Sequence, residues 1–463
     1  MNQKEFTVRP NRHLFLIGLI VLALTLFACS PAAEEASSPP PAPATAEPAA
    51  PQPAPARFTI QADEDLRAAV TAVYSALFPD EQPAFVAAGA DLRVTAGAVE
   101  NAAAYFLPGV ALVPQAGNAD VAGFIAFAVS PDGQQALIDV GALPAVVAVT
   151  DQAGNVVQVP QPVRRLISAQ GPITFLVYGV GAGDRMVAAS YLGARDPAGA
   201  AAMARMDPRF EEIQGDEFFA QRNFDVEKAA ALTPDLILGS ARSDWLATIA
   251  ELGVPIVLFE AETPESLQAA MRLSGQLFGP NAAAQAEAWI AYYNALLETV
   301  RTETAAIPAE KRVRVLFTGT EPLRVASGEM YQTAIIEAAG GVSVSSGLFG
   351  YWNDVNLEQV AAWNPDVILV PPYGGATTEA ITGSPEWQIL DAVKNGRVYR
   401  MPKLVAPWDT PTPDSALAIV WLAEILHPGL VRLSCAAETQ TFYNTFYGYD
   451  IAAEEIAALC GRD

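Results

Sequence analysis

Apolar residues recur along this chain with two periods. Ala68–Phe78 reads as an amphipathic helix, and Ala122–Val129 as the first helix of a helix–turn–helix. Val110–Val113, Leu236–Gly239 and Val367–Val370 are short unbroken apolar runs, the pattern of strands buried on both faces. Val147–Thr150 and Val156–Val159 flank Asp151-Gln152-Ala153-Gly154-Asn155 and predict a β-hairpin, the Gly-Asn pair supplying the turn's unusual backbone angles. Beyond Pro160 and Pro162 the pattern predicts a strand at Arg165–Ser168, a helix at Ile173–Tyr178 and a strand at Arg185–Ser190. Gly179, Gly181 and Gly183 follow that helix without the spacing of a nucleotide-binding loop, so they mark a helix end.

An internal repeat is the most informative feature. Glu227-Lys228-Ala229-Ala230-Ala231-Leu232-Thr233-Pro234-Asp235-Leu236-Ile237-Leu238 recurs as Glu358-Gln359-Val360-Ala361-Ala362-Trp363-Asn364-Pro365-Asp366-Val367-Ile368-Leu369. A helix leading through Pro-Asp into an apolar strand is an α/β unit entering a parallel sheet. Two copies predict two similar lobes. Between them Ala286, Ile290, Tyr293, Leu297 and Val300 share one face of a long helix predicted over 281–304, and Arg312–Phe317 opens the second sheet. The fold class is therefore α/β. Two Rossmann-like lobes with parallel sheets, at 145–280 and 306–463, are joined by a single long helix at 281–305, with a ligand cleft between them. Residues 58–144 form a small N-terminal α/β module, in which Ser130–Ala136 turns from one helix into the next.

The start of the chain reads differently. Lys4, Arg9 and Arg12 precede the uncharged apolar run Leu14–Ala28, which is short for a membrane span of about 20 residues. This is the pattern of an export signal over 1–28. Leu26-Phe27-Ala28-Cys29 resembles a bacterial lipobox, which implies acylation of Cys29 and attachment to a membrane by a lipid. Residues 29–57 are almost entirely Pro, Ala, Ser, Glu and Thr, a composition that buries no core and makes an extended tether.

Composition narrows the function. The formal net charge of -24 opposes binding to nucleic acid, whose phosphates it repels. The two histidines, His13 and His427, and three cysteines without a CxxC pair cannot assemble a conventional zinc site, which needs about four ligands. His427 sits in Leu426-His427-Pro428, where it suits a helix end. No P-loop, zinc motif or Ser-His-Asp arrangement is present, so the chain reads as a binder rather than an enzyme, with no cofactor and no metal ligands. An exported chain permits a Cys435–Cys460 disulfide, and two buried free thiols fit equally well.

Ligands of open α/β folds sit outside the C-terminal ends of the strands. The candidates in the first lobe are Gln170, Tyr191, Ser240 and Arg242, and in the second Tyr331, Tyr351, Trp352, Asn353, Tyr373 and Trp408. Broad aromatic faces suit a bulky chelate, Tyr and Asn orient polar edges, and Arg242 would satisfy a carboxylate or oxyanion.

At this point the residues resemble the ABC importer binding proteins for ferric siderophores, haem and vitamin B12. The resemblance rests on Thr150-Asp151, Gly154, Val159-Pro160, Arg165–Ser168, Gly183–Val187, Asn223–Asp235, Ala326–Glu329, Glu337–Gly341 and Val355–Asp366, collinear over residues 147–460. It implies an extracytoplasmic monomer that delivers a ligand to a permease dimer. One exposed glutamate per lobe, Glu227 and Glu358, would dock on permease arginines, and Trp352 and Trp408 fall at cleft tryptophan positions. Phe175 departs from the glutamate common there. The implied ligand is an iron chelate (siderophore or haem) or a corrinoid. Molybdate or tungstate is the alternative, because Tyr351–Val355 with Phe442–Asp450 looks like the oxyanion-binding branch. Phe124–Gln134 and Gly141–Pro144 in the small module resemble part of a molybdate-type binding protein.

Overall fold

A computed structural model describes residues 56–461 apart from 100, 116, 192–195, 216–217 and 221–222. The leader expected at 1–28, Cys29 and all but the last two residues of the expected tether lie outside the described residues.

The repeated Pro-Asp motif places one strand at the same position in each of two parallel sheets. In the first lobe β1 (Leu166–Ser168), α1 (Gly171–Gly179), β2 (Met186–Ala189), α2 (Val226–Ala231), β3 (Leu236–Ser240) and β4 (Ile256–Phe259) form a sheet of order β4-β3-β1-β2. Helices α3 (Pro264–Phe278) and α4 (Pro280–Thr304) follow, α4 being the long helix expected between the lobes. In the second lobe β5 (Arg314–Phe317), α5 (Tyr331–Ala338), β6 (Val342–Ser343), α6 (Leu357–Trp363), β7 (Val367–Val370) and β8 (Val398–Arg400) give the order β6-β5-β7-β8. Counted within each lobe, both orders are 2-1-3-4, and every pairing is parallel.

The repeat is identical in its local physics. Helices α2 and α6 are capped by Asp225 and Asn356, whose side chains accept from the backbone N–H three residues on. Both end at a left-handed non-glycine residue, Thr233 at φ 44° and Asn364 at φ 40°, and the following proline prevents the helix from continuing. The aspartate after each proline then accepts backbone N–H groups at the start of the neighbouring strand. Asp235 takes those of Arg164 and Arg165, and Asp366 takes that of Arg314. The motif therefore ties the third strand of each sheet to the first.

The lobes share more than the long helix. Helices α7 (Ser415–Leu426), α8 (Cys435–Phe446) and α9 (Ala453–Cys460) complete the chain, and one continuous apolar core runs from Val149 to Leu459 behind the cleft. Trp289 of α4 donates to the Pro413 carbonyl at 3.3 Å, while Arg205 of the first lobe pairs with Glu455 of α9 and lies 5.2 Å over the Tyr449 ring. Cys435 and Cys460 are joined as a disulfide that closes α8 on α9. His427 is buried, and its Nε2 lies 3.2 Å from the Ala339 carbonyl.

The small module holds more sheet than its single expected strand. Ala84–Phe85, Thr59–Ala62, Leu92–Ala96, Val110–Pro114 and Ala104–Leu107 lie side by side in that order, and its first helix begins at Glu64 rather than Ala68. Strands as short as Ala104–Leu107 carry too few residues for periodicity to reveal. The module has its own core around Phe58, Tyr74, Phe106 and Phe124. It is bolted to the first lobe by buried polar contacts: Gln134 donates to the Phe278 carbonyl at 2.9 Å, and Arg185 donates to the carbonyls of Val163 and Val129. The Arg185 contacts lie at the N-terminal ends of β1 and β2, and the Gln134 contact at the end of α3.

Candidate ligand-binding cleft

A cleft of about 780 Å3 opens at the C-terminal ends of both sheets. Gln170, Ser240 and Arg242 of the first lobe line it, facing Tyr351, Trp352 and Tyr373 of the second. Six of the ten residues proposed from the strand-end rule thus converge.

The other four do not. Tyr191 is buried against Phe210, and its hydroxyl lies 2.9 Å from that of Tyr178. Tyr331 is fully buried, its hydroxyl placed between those of Tyr293 (3.2 Å) and Ser415 (2.7 Å). Trp408 is also fully buried. Asn353 pairs with Val325 in a short antiparallel ribbon and donates to the carbonyls of Phe349 and Tyr351. In each case a near neighbour lines the cleft instead: Ser190, Met330 and Gln332, Trp352, and Thr410. Trp352 and Asn353, adjacent in an extended ribbon, leave the backbone on opposite sides, whereas Tyr191, Tyr331 and Trp408 are buried because a large ring body gains most on the core side.

Sequence reasoning also missed Asp244, Glu260, Glu262 and Arg324. Glu260 and Glu262 directly follow β4, so the strand-end rule applied to the fourth strand would have found them. Glu262 holds Arg242 at 2.8 Å, and the Arg242 guanidinium stacks over the Tyr351 ring at 4.5 Å. One side chain of the first lobe therefore reaches an aromatic ring of the second across the cleft mouth.

Two helix N-termini also face the cleft, one per lobe. Gly171, Pro172 and Ile173 open α1, and Met330 and Gln332 flank the first residue of α5. Each helix start carries roughly half a positive charge. With Arg242 and Arg324 they favour anionic groups, while Asp244, Glu260 and Glu262 oppose a compact unshielded dianion. Beneath the second lobe's face, Tyr373 donates to the buried Asp409 at 2.7 Å. Burial pushes the Asp409 carboxyl up to about 6, against the opposing hydrogen bond from Tyr373. Among the described residues no group of three or more His, Cys, Asp or Glu side chains could hold a metal ion.

A second cavity of about 430 Å3 lies between the small module and the first lobe, lined by Tyr105, Pro144, Val147 and Pro280. None of its lining residues belongs to the strands of the two parallel sheets. Glu227 and Glu358 are exposed in the first turns of α2 and α6, outside the cleft lining.

The family model described as periplasmic binding protein matches residues 167–404, which span both sheets and the cleft. The chain belongs to the periplasmic binding protein family. A curated member, the molybdate-binding protein MolA of Haemophilus influenzae, is 27% identical over 256 residues, covering 49% of this chain and 72% of that protein. The vitamin B12-binding protein of Pectobacterium atrosepticum is 26% identical over 256 residues, covering 54% of this chain and 81% of that protein. Among solved structures, a periplasmic solute binding protein from Veillonella parvula superposes with a TM-score of 0.58 at 25% identity, covering 68% of this chain and 96% of that one. Molybdate-bound MolA superposes at 0.59 and 22% identity, covering 66% of this chain and 99% of that one, which shows the shared fold.

Proposed function

We propose that this periplasmic binding protein is the exported, lipid-anchored solute receptor of an ABC importer, capturing an anionic metal chelate and presenting it to the permease. The observation that carries the reading is the cleft itself, built from the strand ends of two repeated lobes. Its volume of about 780 Å3 lies in the range of about 300–1,000 Å3 that suits a drug-sized ligand. Tyr351, Trp352 and Tyr373 offer flat faces for a chelate such as a ferric siderophore or haem, or for a corrinoid. The two helix N-termini and Arg324 meet its acidic edges. Acylation at Cys29 would hold the protein at the outer face of the membrane. Glu227 and Glu358, one per lobe at equivalent positions, would dock on the permease dimer. The protein acts as a monomer and not as an enzyme.

A second reading, capture of molybdate or tungstate, is favoured by the two helix N-termini. They bind tetrahedral anions without a metal-ligand cluster.

The melting temperature in the presence of ferric siderophores, haem, cobalamin, molybdate and tungstate separates these readings. A ligand at a hundred times its Kd adds about 2.7 kcal/mol, a shift of a few degrees. A shift with a chelate supports the first reading and a shift with oxyanions alone the second. No shift with any of them overturns both. In cells, Glu227→Ala with Glu358→Ala should abolish uptake while leaving ligand affinity intact, and normal uptake would remove the docking role.

A further inference from the structure

Beneath the second lobe's cleft face lies a polar pair that the reading above does not use. Asp409 is fully buried and Gln332 is 5% exposed. Tyr373 satisfies one Asp409 oxygen, Oδ2, at 2.7 Å. The other, Oδ1, has no hydrogen-bond partner, and neither has Gln332 Oε1. Yet the Gln332 side chain acts on the Asp409 carboxyl as a hydrogen-bond donor would, favouring its charged form. Oδ1 and Oε1 are thus two buried acceptors on interacting side chains, and a hydrogen between them comes either from the turned Gln332 amide or from a proton. An unsatisfied buried acceptor is costly, so two are a strong drive toward any state that supplies a donor.

A proton supplies it. On Asp409 Oδ1 it can be donated to Gln332 Oε1, provided the amide turns its oxygen inward and its NH2 group toward the cleft that Gln332 lines. With Asp409 ionised, the amide turns the other way and its NH2 group serves the carboxylate.

We propose that Asp409 and Gln332 form a proton-linked pair in which the charge on Asp409 decides whether Gln332 presents a donor or an acceptor to the ligand. Asp409 is then a positioning residue, acting through Gln332 and Tyr373. The groups acting on Asp409 are Tyr373 from the loop after β7, Gln332 from α5 and its own backbone, and no charged side chain is among them. Glu262, across the cleft, bears on Tyr373 instead. The consequence for ligand, which rests on the proposed function, is that an anionic ligand binds better to the protonated pair. That form offers an amide donor beside the N-terminus of α5 and removes a buried negative charge. Its affinity should fall as pH rises through the Asp409 midpoint, by up to about tenfold per pH unit.

The pair is tested without knowing the ligand. In the full chain, the side-chain amide NMR signals of Gln332, assigned by their loss in Gln332→Ala, should titrate with a midpoint near the Asp409 value of about 6. They should be pH-independent in Asp409→Asn, which donates permanently. Tyr373→Phe, which removes a bond favouring the charged form, should raise the midpoint. Signals that do not titrate, that titrate unchanged in Asp409→Asn, or whose midpoint ignores Tyr373→Phe overturn the pair. Affinities for ferric citrate, haemin and molybdate, measured from pH 5 to 8, then test the consequence. A pH-dependent affinity that Asp409→Asn flattens supports it, and a flat affinity in the unmodified chain overturns it. If none of the three probes binds, the functional reading fails and with it the ligand consequence, while the NMR titration still decides the pair.

Discussion

The two lobes share a topology and a capping motif but present different chemistry to the cleft. After the third strand the first lobe offers Ser240 and Arg242, with Glu262 holding the arginine. After the same strand the second lobe offers Tyr373, oriented by a buried carboxyl. The first lobe presents Arg242, Asp244, Glu260 and Glu262, whereas the second is mainly aromatic, with Arg324 as its charged lining residue and a buried carboxyl behind Tyr373. A repeated fold supplies two platforms at equivalent places, and the side chains at strand ends are free to diverge because they carry little of the fold's stability.

The largest effect should come from the core that joins the platforms. Tyr331→Ala removes a fully buried ring and strands the hydroxyls of Tyr293 and Ser415. It should cost about 3–5 kcal/mol in denaturant unfolding. A cost below about 1 kcal/mol would mean that the lobes are joined by α4 alone.

The next prediction separates the two faces. Trp352→Ala should weaken binding of a chelate more than Arg242→Ala, by tenfold or more in Kd, because its loss is area. Arg242→Ala should weaken a small oxyanion more, because its loss is charge. Titration calorimetry of both variants with one bound ligand gives the order, and equal losses would erase the distinction between the lobes.

A pH prediction addresses the shared core. Asp414 is fully buried, accepting from Tyr443 at 2.9 Å and from Tyr447. Burial pushes its carboxyl up to about 7 from an ordinary 3.8, outweighing the two hydroxyl donors. The native state therefore holds a proton that the unfolded state has released, so the stability this group contributes is fully present below about pH 4 and is lost as pH rises through about 7. The slope from this group is at most about 1.4 kcal/mol per pH unit. Thermal unfolding from pH 4 to 8 should show this decline, and Asp414→Asn should flatten it. A stability that rises over that range in both proteins would assign the opposite sign.

The smallest effect tests how alike the lobes are. Asp235→Ala and Asp366→Ala each remove a carboxylate that caps backbone N–H groups of the neighbouring first strand. Each should cost about 1–2 kcal/mol, since those groups can reach water. A cost confined to one variant would show that only one lobe uses the motif for stability.

How much of this was legible varies with the residue. The repeat, the long helix and the parallel strands were, because helix caps, Pro-Asp and unbroken apolar runs act locally. The cleft was legible to within one or two residues. Tyr191 for Ser190 and Tyr331 for Gln332 are errors of one residue, and Trp408 for Thr410 an error of two. An aromatic ring with a hydroxyl or N–H suits a core and a ligand cleft equally well, and only the register of backbone against core chooses between them. Asp409 and Gln332 lie 77 residues apart in sequence. Neither carries a local signal, and their pairing exists only because α5 and the segment before α7 pack together.

By itself, then, the sequence determined the two-lobed α/β plan and the strand ends where a ligand belongs, because those follow from short-range hydrogen bonding and hydrophobic period. The tertiary structure alone decided which faces turn inward, which carboxyls lose their water and how the lobes share one core. Burial and the fields it creates arise from residues far apart in the chain.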